Sequence, residues 1–401
     1  MRVDFVVPRY GADVVGGAEF AVRSLAEQLV ARRGWATRVL TTTARDSRTW
    51  AAGYPAGDED LGGVRISRFA LDSGRASDFD EYSTALLASP EAASPAEEQQ
   101  WLHKQGPNSA ALLDAVSASD ADVVVFTPYL YAPTVEGIGR VGARAVLQPA
   151  THDEPPLRMP MFGPVFTRPR GLAFYTEVER RFTESRFPIG DRRQVVVGLG
   201  SDPGPGDAPA ARVAVALGDR PYLLCLGRVD GGKGSTTLAR FFVEYKRRHP
   251  GDLALVFAGP VVHAPEPHPD VIVAGSVPES VKWGLLRGAA ALVSPSAYES
   301  FALVLIEAWN VDTPVLVNGR CAVTVEHCRR SRGGLWFSGF PSFEAEVERL
   351  VGSPELGPSL AAAGARYVDA HYRWPAIIDR YTAFLEAVGN DAQARGVNVT
   401  T

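Results

Sequence analysis

Cysteine is nearly missing from this chain. Cys225, Cys321 and Cys328 are its only three, and none stands at the spacing of a zinc-ligand pair. A small odd number excludes a disulfide framework and predicts free thiols in a reducing compartment. Lysine is scarce too: arginine carries nearly all of the 41 basic charges, and that singles out Lys233. The basic excess of a nucleic-acid binder is absent, since 46 acidic residues outnumber the basic ones and the net charge is -5. No stretch comes near the roughly 20 apolar residues that span a bilayer. The opening MRVDFVVPRYG has an apolar run too short for a signal peptide and reads as a buried first strand. Together these absences predict a cytoplasmic protein. Asn398-Val399-Thr400 fits a glycosylation sequon, which without a secretory signal is read as chance. No low-complexity tract or short-period repeat is present.

What the chain does have is length and alternation. Single cores stop growing at about 250–300 residues, so 401 residues predict two domains. Apolar runs at 3–8, 36–42, 121–127, 143–149 and 171–176 alternate with helical segments, the first from Ala18 to Arg33. Thr176-x-x-Glu179 reads as a capping box opening a helix after the last of these runs. A second series follows at 221–227, 253–259, 271–275, 290–295 and 314–319. Runs that are apolar on both faces and bounded by turns are what parallel strands look like, and strand–helix alternation implies doubly wound α/β sheets. Residues 198–220, rich in Gly, Pro, Ala and Asp, have linker composition. The expected division is therefore 1–198, 199–372, and a C-terminal helix from about 373 crossing back to the first domain, then a disordered tail. Residues 44–108 lack periodicity and read as an insertion of loops with one or two helices.

Ligands of open α/β sheets bind beyond the carboxyl ends of the strands. Two segments there carry chemistry. Gly227-Arg228-Val229-Asp230-Gly231-Gly232-Lys233-Gly234 follows one predicted strand and opens a helix near Ser235. Its glycines allow close backbone approach, and Arg228 and Lys233 place cations beside a helix start, which suits a diphosphate. The Gly-Lys-Ser/Thr spacing of a P-loop is absent. The second segment, Ser294 to Glu307, runs from a predicted strand through a loop, with Ser300 as the expected N-cap. Glu299 falls in that loop. Glu307 lies two turns into the helix, in the apolar run LVLIEAW, where an unpaired carboxylate is costly. The amides of Phe301, Ala302 and Leu303 are expected to bind phosphate oxygens.

GRVDGGKG, about seventy residues before ESFALVLIE, resembles the C-terminal signature of family 4 glycosyltransferases of the GT-B fold, whose hallmark is two glutamates separated by seven residues. Gly16-Gly17-Ala18-Glu19 resembles that family's glycine loop, and Thr151-His152-Asp153-Glu154-Pro155 its histidine loop. Val197 to Asp202 resembles the interdomain crossing, while PVLVNGRCAV and GGLWFSG resemble the donor domain of a bacterial surface-polysaccharide subgroup. Ala302 departs from the pattern, because Gly is common there; its methyl should fit a helix but could crowd the phosphate. The resemblance implies an α/β GT-B fold of two facing Rossmann-like domains and a cleft between them. It implies Arg228 and Lys233 on the diphosphate, Glu299 on donor-sugar hydroxyls and Glu307 on the ribose. Gly16 and Gly17 would lie near the donor phosphate or sugar, and His152 beside the sugar on the acceptor side. Gly227, Ser300, Phe301, Ala302 and Leu303 complete the expected donor contacts.

The implied activity is retaining transfer of a hexose-type sugar from a UDP- or GDP-linked donor to an acceptor hydroxyl. A nucleophilic carboxylate is one route to retention; the resemblance favours front-face attack, in which the diphosphate helps remove the proton and the protein supplies positioning and electrostatics. No cofactor or metal is expected, since Arg228 and Lys233 supply the cations and no DxD-like pair follows a strand. The expected partners are the donor and a sugar, glycolipid or small-molecule acceptor, not nucleic acid. A nucleotide-sugar epimerase on the same architecture and a non-catalytic sugar-nucleotide-binding subunit are the rival readings. The first needs further acid/base carboxylates, and the second leaves Arg228, Lys233, Glu299 and Glu307 without a task. An NAD-dependent oxidoreductase is excluded by the incomplete glycine fingerprint in both halves. The arginine-rich stretch Arg158–Arg193 reads as a solvated face or as a weak peripheral contact with an anionic membrane.

Overall fold

The computed structural model describes residues 1–14 and 16–397, with side chains through 394. The expected disordered tail and the Asn398 sequon lie outside the described residues. The chain divides into two units: Met1–Leu199 with Pro375–Thr401, and Gly200–Trp374.

The first unit is built on one sheet of eight strands: β1 (Arg2–Val6), β2 (Ala36–Thr42), β3 (Gly57–Leu61), β4 (Val64–Phe69), β5 (Val123–Phe126), β6 (Ala145–Leu147), β7 (Gly171–Phe174) and β8 (Arg193–Val196). Their order is β3-β4-β2-β1-β5-β6-β7-β8. Only β3 runs antiparallel, paired to β4 with Leu61 opposite Val64. The central strands are apolar on both faces because helices cover both; Val3, Phe5 and Val6 of β1 and all four residues of β5 are fully buried. The 44–108 segment differs from expectation. It holds the helices Phe79–Leu86 and Pro95–Gln105, and it also supplies β3 and β4, with β4 parallel to β2 from Arg38↔Arg65 to Thr42↔Phe69. VRISRF was unreadable as a strand because its arginines interrupt the apolar pattern, yet Arg68 is buried, stacked on Tyr54 and paired with Glu59.

The C-terminal helix Trp374–Val397 crosses into this first unit from Pro375 onward. It lies so close on β7 that a Cβ at Gly171 would come within 2.7 Å of Phe384 and 2.8 Å of Val388. Asp391 binds both Arg170 and Arg193, and the arginines hold its carboxyl far below the usual range.

The second unit carries six strands: β9 (Tyr222–Leu226), β10 (Ala254–Ala258), β11 (Val271–Gly275), β12 (Ala291–Ser294), β13 (Val315–Asn318) and β14 (Gly334–Phe337). All pairings are parallel, in the order β11-β10-β9-β12-β13-β14. The winding reverses between β9 and β12, and in open α/β sheets such a switch point, at the carboxyl ends of the strands, is where ligands bind. Cys225, Cys321 and Cys328 are buried free thiols. Among the described residues no helix is long and apolar enough to cross a membrane.

Candidate functional site

The reversal between β9 and β12 brings the two chemistry-bearing segments of the second unit together. Gly234 takes a left-handed backbone (φ 79°) just before the helix Ser235–Arg248. A Cβ there would approach the Pro295 carbonyl oxygen, in the other segment, to 2.6 Å. The glycine thus permits contact between the loops, and Asn318 from β13 donates to the same carbonyl at 2.8 Å.

Across this contact Lys233 Nζ donates to Glu299 Oε1 at 2.7 Å, both side chains partly exposed. Arg228 is half-exposed and paired with Asp230. Asp230, not singled out in the sequence, organises the loop: its Oδ1 accepts the Lys233 N–H at 2.6 Å. Burial works against its charge, but the Lys233 amide and the Arg228 guanidinium hold its carboxyl below the usual range. Gly227 donates its N–H to Ala258 at 3.0 Å and so ties this loop to β10.

Three expectations change here. Ser300 is not the N-cap. The helix is Leu303–Trp309, and Ala302 caps it in a left-handed conformation, φ 63° and ψ 58°. The methyl of Ala302 therefore lies outside the helix, in the conformation glycine adopts without cost. Glu307 is not unpaired: Lys282, from the helix Glu279–Gly288, donates to it at 2.9 Å and also binds Glu279 at 2.8 Å. Burial pushes the Glu307 carboxyl up against the pull of Lys282. By sequence Lys246, between Tyr245 and Arg247 in a helical run, should be solvated; it is instead buried, bonded to Gly251 O and 3.4 Å from Asp270.

A second group of expected residues gathers at the carboxyl ends of β1, β6 and β7 in the first unit. Gly16 precedes the helix Gly17–Arg33 with extended backbone. A Cβ on it would meet Glu19 Oε2 at 2.1 Å and Arg9 at 2.9 Å, whereas Gly17 has no neighbour within 4 Å of that position. Arg9 and Glu19 form a largely buried pair at 2.7 Å. His152 is half-buried with Nε2 3.6 Å from Glu154 Oε2, and Tyr129 donates to the other oxygen of Glu154 at 2.8 Å. Burial raises the Glu154 carboxyl, with His152 and Tyr129 opposing.

Behind His152 stands Glu179, fully enclosed. Thr176 caps the helix Glu177–Arg186 by accepting the Glu179 N–H at 3.1 Å, as the sequence signature predicts. The carboxylate reaches further than a capping box requires. It accepts the N–H of Tyr175 at 2.7 Å and of Thr151 at 2.8 Å, tying the end of β7 to the residue before His152. Burial outweighs these bonds and lifts its pKa to about 7. Beside it, Tyr381 of the C-terminal helix donates to Gln148 at 3.0 Å.

Residues 220–352 match the family model described as glycosyl transferases group 1. The matched residues lie wholly within the second unit. The chain is 27% identical over 229 residues to D-inositol 3-phosphate glycosyltransferase of Segniliparus rotundus, covering 53% of this chain and 51% of that protein. It spans about half the length of the curated relatives it matches. Over 96% of its length it is similar to sucrose-phosphate synthase from Thermosynechococcus elongatus, with TM-score 0.67, 17% identity and 98% of that chain covered. It is also similar to a trehalose-6-phosphate structure from E. coli bound with UDP-2-fluoro glucose, with TM-score 0.69, 12% identity, and 97% and 99% of the two chains covered. The fold is the GT-B glycosyltransferase fold, two Rossmann-like parallel-sheet domains in one chain.

Proposed function

We propose that the protein is a retaining glycosyltransferase that moves a hexose-type sugar from a UDP- or GDP-linked donor to an acceptor hydroxyl, without a metal. The observation that carries this reading is the Lys233–Glu299 pair, 2.7 Å across two loops that meet where the second unit's sheet reverses its winding. A cation and a carboxylate held together suit a ligand that is anionic at one end and rich in hydroxyls at the other. On donor binding, diphosphate oxygens take over Lys233 and Arg228 from Glu299 and Asp230. Glu299 then turns to the sugar hydroxyls, and Glu307, with Lys282 beside it, receives the ribose. The two cations offset charge on the departing diphosphate, a preorganised electrostatic contribution of several kcal/mol. His152 in the first unit is assigned to the sugar on its acceptor side. The acceptor hydroxyl attacks from the face of the leaving diphosphate, which takes its proton, and the anomeric configuration is kept. The UDP-sugar bound by the E. coli neighbour supports the donor class.

The acceptor classes of this proposal are a sugar, a glycolipid or a small molecule, met in the cytoplasm. A peripheral membrane contact through Arg158–Arg193 draws less support from the charges. Arg170 and Arg193 bind Asp391, and Arg180 and Arg181 bind Glu177. The experiment is calorimetry with UDP and GDP, with and without EDTA, followed by proton NMR of the first product formed. Binding that survives chelation and a product with the donor's anomeric configuration are expected; loss on chelation would overturn the metal-free assignment, and an inverted product the retaining one.

A further inference from the structure

The loop that carries Glu299 contains a strained residue. Ala302 sits at φ 63°, in the left-handed region where a β-carbon crowds the following carbonyl oxygen. Strain of this kind persists only where neighbouring structure over-determines the backbone. The neighbour is His327, on the helix Ala322–Ser331, with 3% of its surface exposed. Its Nε2 lies 3.1 Å from the carbonyl oxygen of Phe301, the residue before Ala302. Its Nδ1 lies 3.2 Å from the Tyr367 hydroxyl, which lies 3.1 Å from the Tyr372 hydroxyl. Phe301 stands edge-on to both the His327 and the Tyr372 rings at 5.6 and 5.4 Å.

The direction of every bond in this chain follows from one fact: a carbonyl oxygen only accepts. Nε2 must therefore carry the proton. Burial keeps the imidazole neutral, so Nδ1 is bare and accepts from Tyr367. Tyr367, having donated, accepts from Tyr372. The result is a one-way hydrogen-bonded relay ending on the Phe301 carbonyl, supported by aromatic packing on every side.

We propose that His327 is a positioning residue for the donor loop. Its neutral imidazole latches the Phe301 carbonyl, holds Ala302 in the left-handed conformation, and so keeps Glu299 in place opposite Lys233. This rests on the reading of the Lys233–Glu299 site as a nucleotide-sugar site. Neither the family signature nor the sequence spacing assigns a role to His327, which would otherwise be an apolar-face histidine of an amphipathic helix.

The test uses the full chain and three variants. His327→Phe keeps an aromatic ring but leaves the Phe301 carbonyl without its donor. His327→Gln retains a donor at nearly the same reach. The third adds Ala302→Gly to His327→Phe and removes the strain the latch opposes. Hydrogen exchange of peptides covering 298–305 and calorimetry with UDP and GDP are read on protein whose circular dichroism matches wild type. Should His327→Phe not fold, His327→Gln and the double variant carry the comparison. Expected are faster exchange in His327→Phe and about tenfold weaker binding of whichever nucleotide the wild type takes, the cost of one unmade bond to a buried carbonyl. Gln should restore most of both, and Ala302→Gly should restore part. Unchanged exchange in a folded His327→Phe would overturn the latch, and so would faster exchange with unaltered nucleotide affinity. If the wild type binds neither nucleotide, the reading of the site fails, and exchange alone decides the latch.

Discussion

In each unit, a loop that carries expected site residues is anchored by a buried ionisable side chain, and the two anchors have opposite acid–base character. In the second unit, His327 holds the Phe301 carbonyl as a neutral base, with burial lowering its pKa to about 4. In the first, Glu179 holds the amides of Thr151 and Tyr175, with burial raising its pKa to about 7. A donor is needed to grip a carbonyl and an acceptor to grip amides, so the backbone polarity of each loop dictates which residue type stands behind it. Low dielectric then moves both groups toward their neutral forms.

Lys233 is where the comparison breaks hardest. Lys233→Ala should lower turnover about 100-fold or more while leaving the melting temperature of the second unit nearly unchanged. Lys246→Ala should do the reverse, retaining the activity of the folded fraction and lowering stability by about 1–3 kcal/mol, because Asp270 and the Gly251 carbonyl lose a buried donor. Equal activity losses in the two variants would mean that Lys233 is ordinary surface.

The pH dependence of stability sharpens the contrast next. Glu179 has its pKa raised in the folded protein, so its contribution is complete below the ordinary carboxyl range near 4.5 and is lost as pH climbs through 7. His327 has its pKa lowered, so its contribution is complete above 6.5 and is lost as pH falls through 4. Each swing amounts to about 3 kcal/mol at 1.4 kcal/mol per unit. Denaturant unfolding from pH 4 to 8 should show Glu179→Gln flattening the alkaline limb and His327→Gln flattening the acid limb. If each variant altered the other's limb, the assignment of anchors would be reversed.

A smaller effect separates backbone from side chain. Ala302→Gly alone should stabilise the second unit by about 0.5–1 kcal/mol, the left-handed penalty less the entropy of an added glycine. A destabilised variant would show that the methyl makes a packing contribution larger than the strain. The smallest expected effect concerns the Arg158–Arg193 stretch. With Arg170, Arg180, Arg181 and Arg193 paired to Glu177 or Asp391, co-sedimentation with anionic vesicles should be weak at low salt and vanish near physiological ionic strength. Strong salt-resistant binding would point to a membrane-bound acceptor.

Much of this arrangement was legible in the sequence because parallel strands buried on both faces leave uninterrupted apolar runs. Ala36–Thr42 and Val271–Gly275 fall where the pattern put them. That GRVDGGKG and the loop around Glu299 lie on the same edge of the sheet also follows from sequence, since both leave strands at carboxyl ends; that they touch depends on β9 and β12 being neighbours. What was hidden is pairing at long range. Lys282 stands 25 residues before its partner Glu307, and nothing local marks it. VRISRF failed as a strand because Arg68 looks solvated until its ring and carboxylate partners are known. Ala302 reads as helical because Ser300, a good capping residue, sets the helix start two residues before the observed cap, and the sequence carries no word on which residue the chain turns through.

The C-terminal helix also sets an order of events. The first unit owns residues 1–199 and those from Pro375 onward, and Tyr381, Leu385 and Val388 are fully buried. During synthesis the strands of the first unit emerge early but wait for that helix to cover β7 and its Gly171. The second unit, contiguous from Gly200 to Trp374, has every residue it needs sooner. The half of the molecule that is made first is thus the half whose last element is made last.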